Sequence, residues 1–148
     1  MYKHILIATD GSGLATKALE HGLDLAKREG AQVTIVTVTE PWSALEMAGK
    51  AREHVANPVA EFEAIAAAAA DTTLRAAAER ATAVGIHCDC LHVKDQHPAE
   101  GIIKTVKDKG CDLIVMGSHG RRGASRILLG SQSYEVLTLC RVPALIVR

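Results

Sequence analysis

The residues with the most specific chemistry lie in a glycine-rich stretch that begins at Gly117. Gly117 and Gly120 allow backbone N–H groups to approach an anion closely and to form the concave nest that binds phosphate. Further on, the segment Gly130-Ser131-Gln132-Ser133 opens a predicted helix, where free N–H groups, the helix dipole and two hydroxyls form a second anion site. Two anion sites that bracket one loop predict a di- or triphosphate ligand.

Three arginines in this loop, Arg121, Arg122 and Arg126, would add positive charge near a bound phosphate. Arginines in a loop are also common on a solvated face. Both interpretations stay open.

An earlier loop contains Gly11-Ser12-Gly13, which begins like the dinucleotide-binding fingerprint. Thr16 stands where that fingerprint has its third glycine, which close packing of helix on strand requires. The chain is also short for a dinucleotide fold with a substrate domain, so we expect no NAD binding. The sequence contains no G-x-x-x-x-G-K-[ST] phosphate loop.

Short apolar runs predict the strands that position these loops. Runs rich in Val and Ile without clean alternation are typical of a parallel sheet with helices on both faces. A more polar run, Ile86 to Val93, predicts a strand at the sheet edge. The buried runs are Ile5 to Ala8, Val33 to Val38, Leu113 to Met116 and Ala144 to Val147.

Apolar stripes with helical spacing lie between these runs. The order β-α-β-α-β-α-β-α-β predicts an α/β fold in a single domain over residues 1–148. Its five-stranded parallel sheet is doubly wound, so a ligand is expected outside the carboxyl ends of the strands. The stripes run from Ala15 to Ala26, from Phe62 to Ala77, from Ala99 to Val106 and from Val136 to Cys140.

One segment, Glu40 to Val59, is predicted as a long excursion with one short helix. A loop of this length is often a lid or a binding loop, and a variable surface insertion is the favoured alternative. Its role stays open.

Composition excludes several classes of protein. The 17 basic and 17 acidic residues cancel, and only four scattered residues are aromatic (Tyr2, Trp42, Phe62 and Tyr134), which argues against nucleic-acid binding. No apolar run approaches the roughly 18 residues of a membrane span, and the N-terminus does not resemble a signal peptide. The four cysteines form no disulfide framework, so the expected location is the cytoplasm.

The segment from His87 to His92 raises the question of a metal. On a strand, Cys88, Cys90 and His92 share one face. Three successive ligands on a straight strand do not easily converge on tetrahedral zinc. We therefore expect no structural zinc site here and favour buried or half-buried thiols on an edge strand.

The pattern Gly117-x2-Gly120-x9-Gly130-Ser131 resembles the nucleotide-binding motif of the universal stress protein family, in its ATP-binding branch. Thr9-Asp10-Gly11-Ser12 and the segment from Asp112 to Gly120 look like the same family, and the resemblance covers essentially the whole chain.

The resemblance implies a Rossmann-like, adenine-nucleotide α-hydrolase-like fold and an ATP-binding stress-response protein, a sensor or regulatory module with at most slow hydrolysis. ATP, ADP or AMP, with or without Mg²⁺, would be the ligand. No residue is assigned a catalytic role. The implied adenine site is formed by Thr9, Asp10 and Val38, and the ribose and phosphate site by Met116, Gly117, His119, Gly120, Gly130, Ser131, Gln132 and Ser133.

Asp10 has three interpretations: it contacts the nucleotide, it holds Mg²⁺, or it is the N-cap of the first helix. His119 either contacts phosphate or ribose or points to solvent, and its place between two motif glycines favours the ligand. The alternatives for the whole chain are an Mg²⁺-dependent ATPase or phosphotransferase, or a nucleotide-free dimeric interaction protein.

The resemblance also implies a homodimer paired through the last strand, Val142 to Val147. The apolar run Ala144 to Val147 within this segment contains no charge or proline and is a liability unless its edge is covered, and this independent argument points the same way.

Overall fold

A computed structural model of the chain describes residues 1–120 and 129–148. The arginines predicted to add charge to the glycine-rich loop, Arg121, Arg122 and Arg126, lie outside the described residues. The described elements, in chain order, are β1 (His4–Ala8), α1 (Gly13–Glu29), β2 (Gln32–Val38), α2 (Ala44–Arg52), α3 (Pro58–Ala83), β3 (Cys88–Val93), α4 (Pro98–Lys109), β4 (Leu113–Gly117), α5 (Ser131–Leu139) and β5 (Ala144–Val147).

The strands form one sheet in the order β3-β2-β1-β4-β5, and every pairing is parallel. The predicted doubly wound α/β fold is confirmed, and β3 lies at one edge, as its polar sequence predicted. The chain winds from β1 to β2 and β3 and then returns to place β4 on the other side of β1. This reversal opens a crevice at the carboxyl ends of β1 and β4.

Two apolar layers cover the sheet because successive residues of a strand face opposite sides. Ile5 and Ile7 of β1 pack with α1 and α3, whereas Leu6 and Ala8 pack with α4 and α5. Full burial of one such aliphatic side chain stabilises the fold by about 1.5–3 kcal/mol relative to exposure. The central strands are therefore rigid supports for the loops that follow them.

The first helix begins at Gly13, three residues after Asp10. Ser12 is its N-cap, and the Ser12 Oγ accepts a hydrogen bond from the N–H of Ala15 at 3.2 Å. The suggestion that Asp10 caps α1 is therefore wrong. Asp10 instead accepts from the N–H of Ser12 through Oδ1 at 2.9 Å, an Asx turn that leaves its carboxylate at the end of β1.

The excursion after β2 contains the predicted short helix, α2. Ser43 and Glu46 form a capping box at its start, and Met47 is buried where α2 packs on α3. The next helix begins at Pro58, earlier than its apolar stripe indicated, because Asn57 provides an N-cap and proline suits the first helical turn. No helix of the described residues is long and apolar enough to cross a membrane.

Candidate functional site

A cleft of about 560 Å³ opens at the carboxyl ends of β1, β2 and β4. Every residue that the sequence assigned to a ligand lies on its wall. These residues are Thr9, Asp10, Val38, Met116, Gly117, His119, Gly120, Gly130, Ser131, Gln132 and Ser133. Together they span more than 120 positions of the sequence, and the parallel register brings them to one edge of the sheet.

One end of the cleft is walled by small and apolar side chains. Val38 is the last residue of β2, and Pro98 and Ile102 of α4 face the same space. The first half of α3 adds a wall that sequence reasoning missed, formed by Ala66, Ala69, Ala70 and Thr73. The signal was the helical spacing of these short side chains, which leave room beside the sheet. This end suits a flat, largely apolar group.

The other end is formed by the three motif glycines, whose freedom from a side chain matters to different degrees. A Cβ on Gly130 would lie 2.7 Å from the carbonyl oxygen of Ser118, which is backbone and cannot move aside. A Cβ on Gly117 would lie 3.2 Å from Cγ of Leu14. Among the described residues, a Cβ on Gly120 meets only the Oδ2 of Asp10, at 3.1 Å. Gly130 is thus needed for the fold itself, whereas the part of the chain that the structure describes leaves room for a side chain at Gly120.

The start of α5 is fastened to the end of β4. The N–H of Gly130 donates to the carbonyl oxygen of Ser118 at 2.8 Å. The buried hydroxyl of Ser133 donates to the carbonyl oxygens of Gly117 and Ser118, at 3.0 and 3.2 Å. The Ser133 proton is therefore engaged within the protein. Of the two hydroxyls that the sequence directed to an anion, Ser131 has the exposed one.

Gln132 joins the two ends of the cleft. Its Oε1 accepts a hydrogen bond from the N–H of Ala99 at 2.9 Å, in the first turn of α4. The N-cap residue of α4, His97, makes no side-chain capping bond, so the amide from α5 satisfies a helix terminus that its own sequence leaves open.

His119 lies half-buried directly after the buried Ser118. The Oγ of Ser118 and the Nδ1 of His119 are 3.0 Å apart, so the imidazole is held in place by the preceding side chain. With the hydroxyl as donor, the ring carries its proton on Nε2 and presents an N–H donor. Such a group can bind an anionic oxygen.

Two carboxylates line the described part of the cleft. Asp10 lies beside Gly120, as the 3.1 Å approach of Oδ2 shows. Glu40 follows β2, and its Oε1 is 3.8 Å from Nδ1 of His97. Within residues 1–120 and 129–148, no group of three or more His, Cys, Asp or Glu side chains converges on a metal-sized site.

Asp112 lies directly before β4, at the end of the sheet opposite the cleft. Burial alone would raise the pKa of this carboxyl group, but it accepts hydrogen bonds from the N–H groups of Lys3 and His4, at 2.8 and 3.0 Å. These bonds outweigh the burial and hold the pKa of Asp112 below its usual range. Asp112 therefore acts in stability, away from the cleft.

The cleft and the sheet order have counterparts in known proteins. The sequence matches the universal stress protein family over residues 1–148. The chain belongs to that family. Among its relatives, Universal stress protein YxiE of Bacillus subtilis (strain 168) is 32% identical over 155 aligned residues that cover all of both chains.

Solved structures of universal stress proteins share the fold. Protein MJ0577 of Methanocaldococcus jannaschii superposes with a TM-score of 0.81 and 28% identity, covering 99% of this chain and 96% of that one. A universal stress protein in complex with cAMP superposes with a TM-score of 0.74 and 25% identity, covering 99% and 97% of the two chains.

Proposed function

We propose that this universal stress protein binds an adenine nucleotide, ATP or its relatives ADP and AMP, and acts as a sensor or regulatory module. The observation that carries the proposal is the meeting of all the motif residues on one cleft that is apolar at one end and formed at the other by the motif glycines and the uncapped start of α5. A related protein with the same fold was solved in complex with cAMP, which is itself an adenine nucleotide. The 148 residues act as one domain.

In this proposal the base lies between Val38 and the small side chains of α3, which accept its flat faces. The phosphates lie over Gly117 and Gly120 and against the start of α5, where no side chain caps the helix. The N–H groups of the first turn and the positive end of the helix dipole favour an anion there. His119 adds a donor at the same end.

Hydrolysis is expected to be slow at most. Phosphoryl transfer requires metal ligands and a group that orients the attacking nucleophile. Asp10 is the carboxylate beside Gly120, and it is our candidate for contact with Mg²⁺. Efficient hydrolysis would appear as Mg²⁺-dependent turnover that Asp10→Asn abolishes while nucleotide binding persists, and that result would establish the ATPase alternative.

Calorimetric titration of nucleotide-stripped protein tests the proposal directly. ATP, ADP and AMP are titrated with and without Mg²⁺, and NAD serves as the control ligand. Saturable binding of an adenine nucleotide at one site per chain, without an NAD response, is the expected result. Folded protein that gives no heat with any nucleotide would refute the proposal and favour the nucleotide-free interaction protein.

We further propose that the chain forms a homodimer through the segment from Val142 to Val147. The carbonyl oxygens of Pro143 and Val147 accept hydrogen bonds from β4. Because alternate residues of a strand direct both backbone polar groups to the same side, Ala144 and Ile146 present theirs to the outer edge. Helix α5 and strand β5 also expose large apolar side chains, which are Tyr134, Leu137 and Leu139 of α5 and Leu145 of β5.

A proline at position 144 tests the dimer without disturbing the pairing of β5 with β4. Ala144→Pro removes an outward N–H, and Ala144→Val keeps it. Sedimentation is expected to show a dimer for the wild type and for Ala144→Val, and a weakened dimer for Ala144→Pro. A wild-type monomer at tens of micromolar would contradict the proposal.

We place the protein in the cytoplasm, where adenine nucleotides are abundant. All four cysteines are free thiols, as is usual for chains kept in a reducing compartment.

A further inference from the structure

The edge strand β3 carries two cysteines on one face, outside the cleft. Cys88 and Cys90 pair in register with Val33 and Ile35 of β2. Their Sγ atoms are 3.9 Å apart, and the Sγ of Cys90 is also 3.9 Å from the carbonyl oxygen of Leu74 in α3. Both are free thiols, and Cys90 is exposed. Neither residue lines the nucleotide cleft, so the pair has no part in the function proposed above.

This spacing fits a shared metal ion better than a disulfide. A disulfide requires the sulfur atoms to approach to about 2.05 Å, which residues two apart on an extended strand reach only if the backbone moves. Thiolates bind an ion such as zinc at about 2.3 Å, so two of them on one ion lie at most about 4.6 Å apart. The observed 3.9 Å separation is within that limit.

The number of available ligands selects the ion. Within the described ranges, no third His, Cys, Asp or Glu side chain completes a cluster with these thiols, whereas structural zinc takes four ligands. The next residue on the same face, His92, has its Nε2 hydrogen-bonded to the Oγ1 of Thr39 at 2.7 Å. Soft ligands such as thiolates favour Cu(I), which accepts two-coordinate binding.

We propose that Cys88 and Cys90 form a two-thiolate site for one soft monovalent metal ion, Cu(I). Written from the dithiol, uptake is Cu⁺ + 2 RSH → [Cu(SR)₂]⁻ + 2 H⁺, with two new S–Cu bonds and no change of oxidation state.

Anaerobic titration of the reduced full-length chain with Cu(I), in competition with a chromogenic Cu(I) chelator, measures the affinity and the stoichiometry. One ion per chain is expected for the wild type. Removal of either thiol abolishes the chelate, so Cys88→Ser and Cys90→Ser each weaken binding by about 100-fold or more. The matched control is Cys140→Ser, at the C-terminal end of α5, and it keeps the wild-type affinity.

X-ray absorption of the wild-type complex provides a readout that does not depend on the folding of any variant. Two sulfur neighbours are expected around the copper. A first shell dominated by nitrogen, binding that survives Cys88→Ser at full affinity, or an equal loss in Cys140→Ser would each overturn the proposal.

Discussion

Substitution of Gly120 by valine separates a ligand-binding glycine from a structural one. Among the described residues, an added Cβ at this position meets only the Oδ2 of Asp10, at 3.1 Å, which is the far end of a side chain. A shift of a few tenths of an ångström relieves that contact. The expected change in the free energy of unfolding is therefore small, about 0.5 kcal/mol or less, as for surface substitutions.

The expected effect on nucleotide affinity is much larger. A branched side chain at position 120 fills the space in which a phosphate oxygen would approach the backbone N–H groups. Loss of one or two charge-assisted hydrogen bonds, at about 1.5–3 kcal/mol each, weakens binding by roughly 10-fold to more than 1,000-fold. The dissociation constant for ATP is thus expected to rise by at least one order of magnitude.

Calorimetry and thermal melting of the same preparations measure the two effects. Gly13→Val is the matched control, because a Cβ at Gly13 meets no described atom within 4 Å and Gly13 does not line the cleft. Gly130→Ala is the contrasting variant: its Cβ collides with the backbone of Ser118, so it is expected to destabilise the fold by about 1–3 kcal/mol.

A folded Gly120→Val protein with the ATP affinity of the wild type would refute the assignment of the phosphate site. Equal losses of affinity in Gly120→Val and Gly13→Val would refute it as well, because the effect would then not belong to the cleft.

Three further predictions concern the cleft wall formed by α3, the hydrogen bonds that hold α5 to β4, and the loss of stability at low pH. Ala69→Phe places a large side chain in the cleft and is expected to weaken ATP binding at least 10-fold in calorimetry. The neighbouring Ala68 is exposed and does not line the cleft, so Ala68→Phe should leave the affinity unchanged. Equal effects of the two variants would argue against a base at this end. Ser133→Ala removes the hydroxyl that donates to the carbonyl oxygens of Gly117 and Ser118, of which Ser118 keeps the N–H of Gly130 as a donor. The loss is expected to lower the free energy of unfolding by about 1–3 kcal/mol in chemical denaturation, and an unchanged midpoint would mean that the bridge contributes nothing. Because the folded pKa of Asp112 is depressed, its contribution to stability is present above the unfolded value of about 3.9 and is lost as the pH falls through the folded value. The stability difference between wild type and Asp112→Asn should therefore shrink below about pH 4, and a difference independent of pH would show that the carboxylate charge is not responsible.

The sheet could be predicted because its residues are buried on both faces and therefore leave uninterrupted apolar runs. The same principle placed β3 at the edge, since polar residues in the run from Ile86 to Val93 are tolerated only where one side faces solvent. Helix boundaries were less certain. Asp10 and Ser12 are both good capping residues, and only the backbone geometry decides between them.

Contacts between distant elements could not be predicted from the sequence. The residues that the family resemblance assigned to a ligand meet in one cleft, and their role in binding stays a prediction. Nothing local showed that Ser133 directs its proton to β4 or that Gln132 caps α4, because both bonds depend on the relative placement of elements. The alanine wall of α3 was missed for a related reason, since alanine serves equally well in a helix interior, a core and a cavity wall.

The hydrogen bond from the N–H of Ala99 to the Oε1 of Gln132 links the two ends of the cleft. It ties the first turn of α5 at the anion-binding end to the first turn of α4, whose Pro98 and Ile102 line the apolar end. A ligand that spans the cleft contacts both helices at once, whereas a fragment that fills one end contacts only the helix at that end. Adenosine and pyrophosphate offered separately should therefore bind with free energies whose sum falls short of that of the intact nucleotide. The hydrogen bond between α5 and α4 thus holds the two parts of the binding site at a fixed spacing.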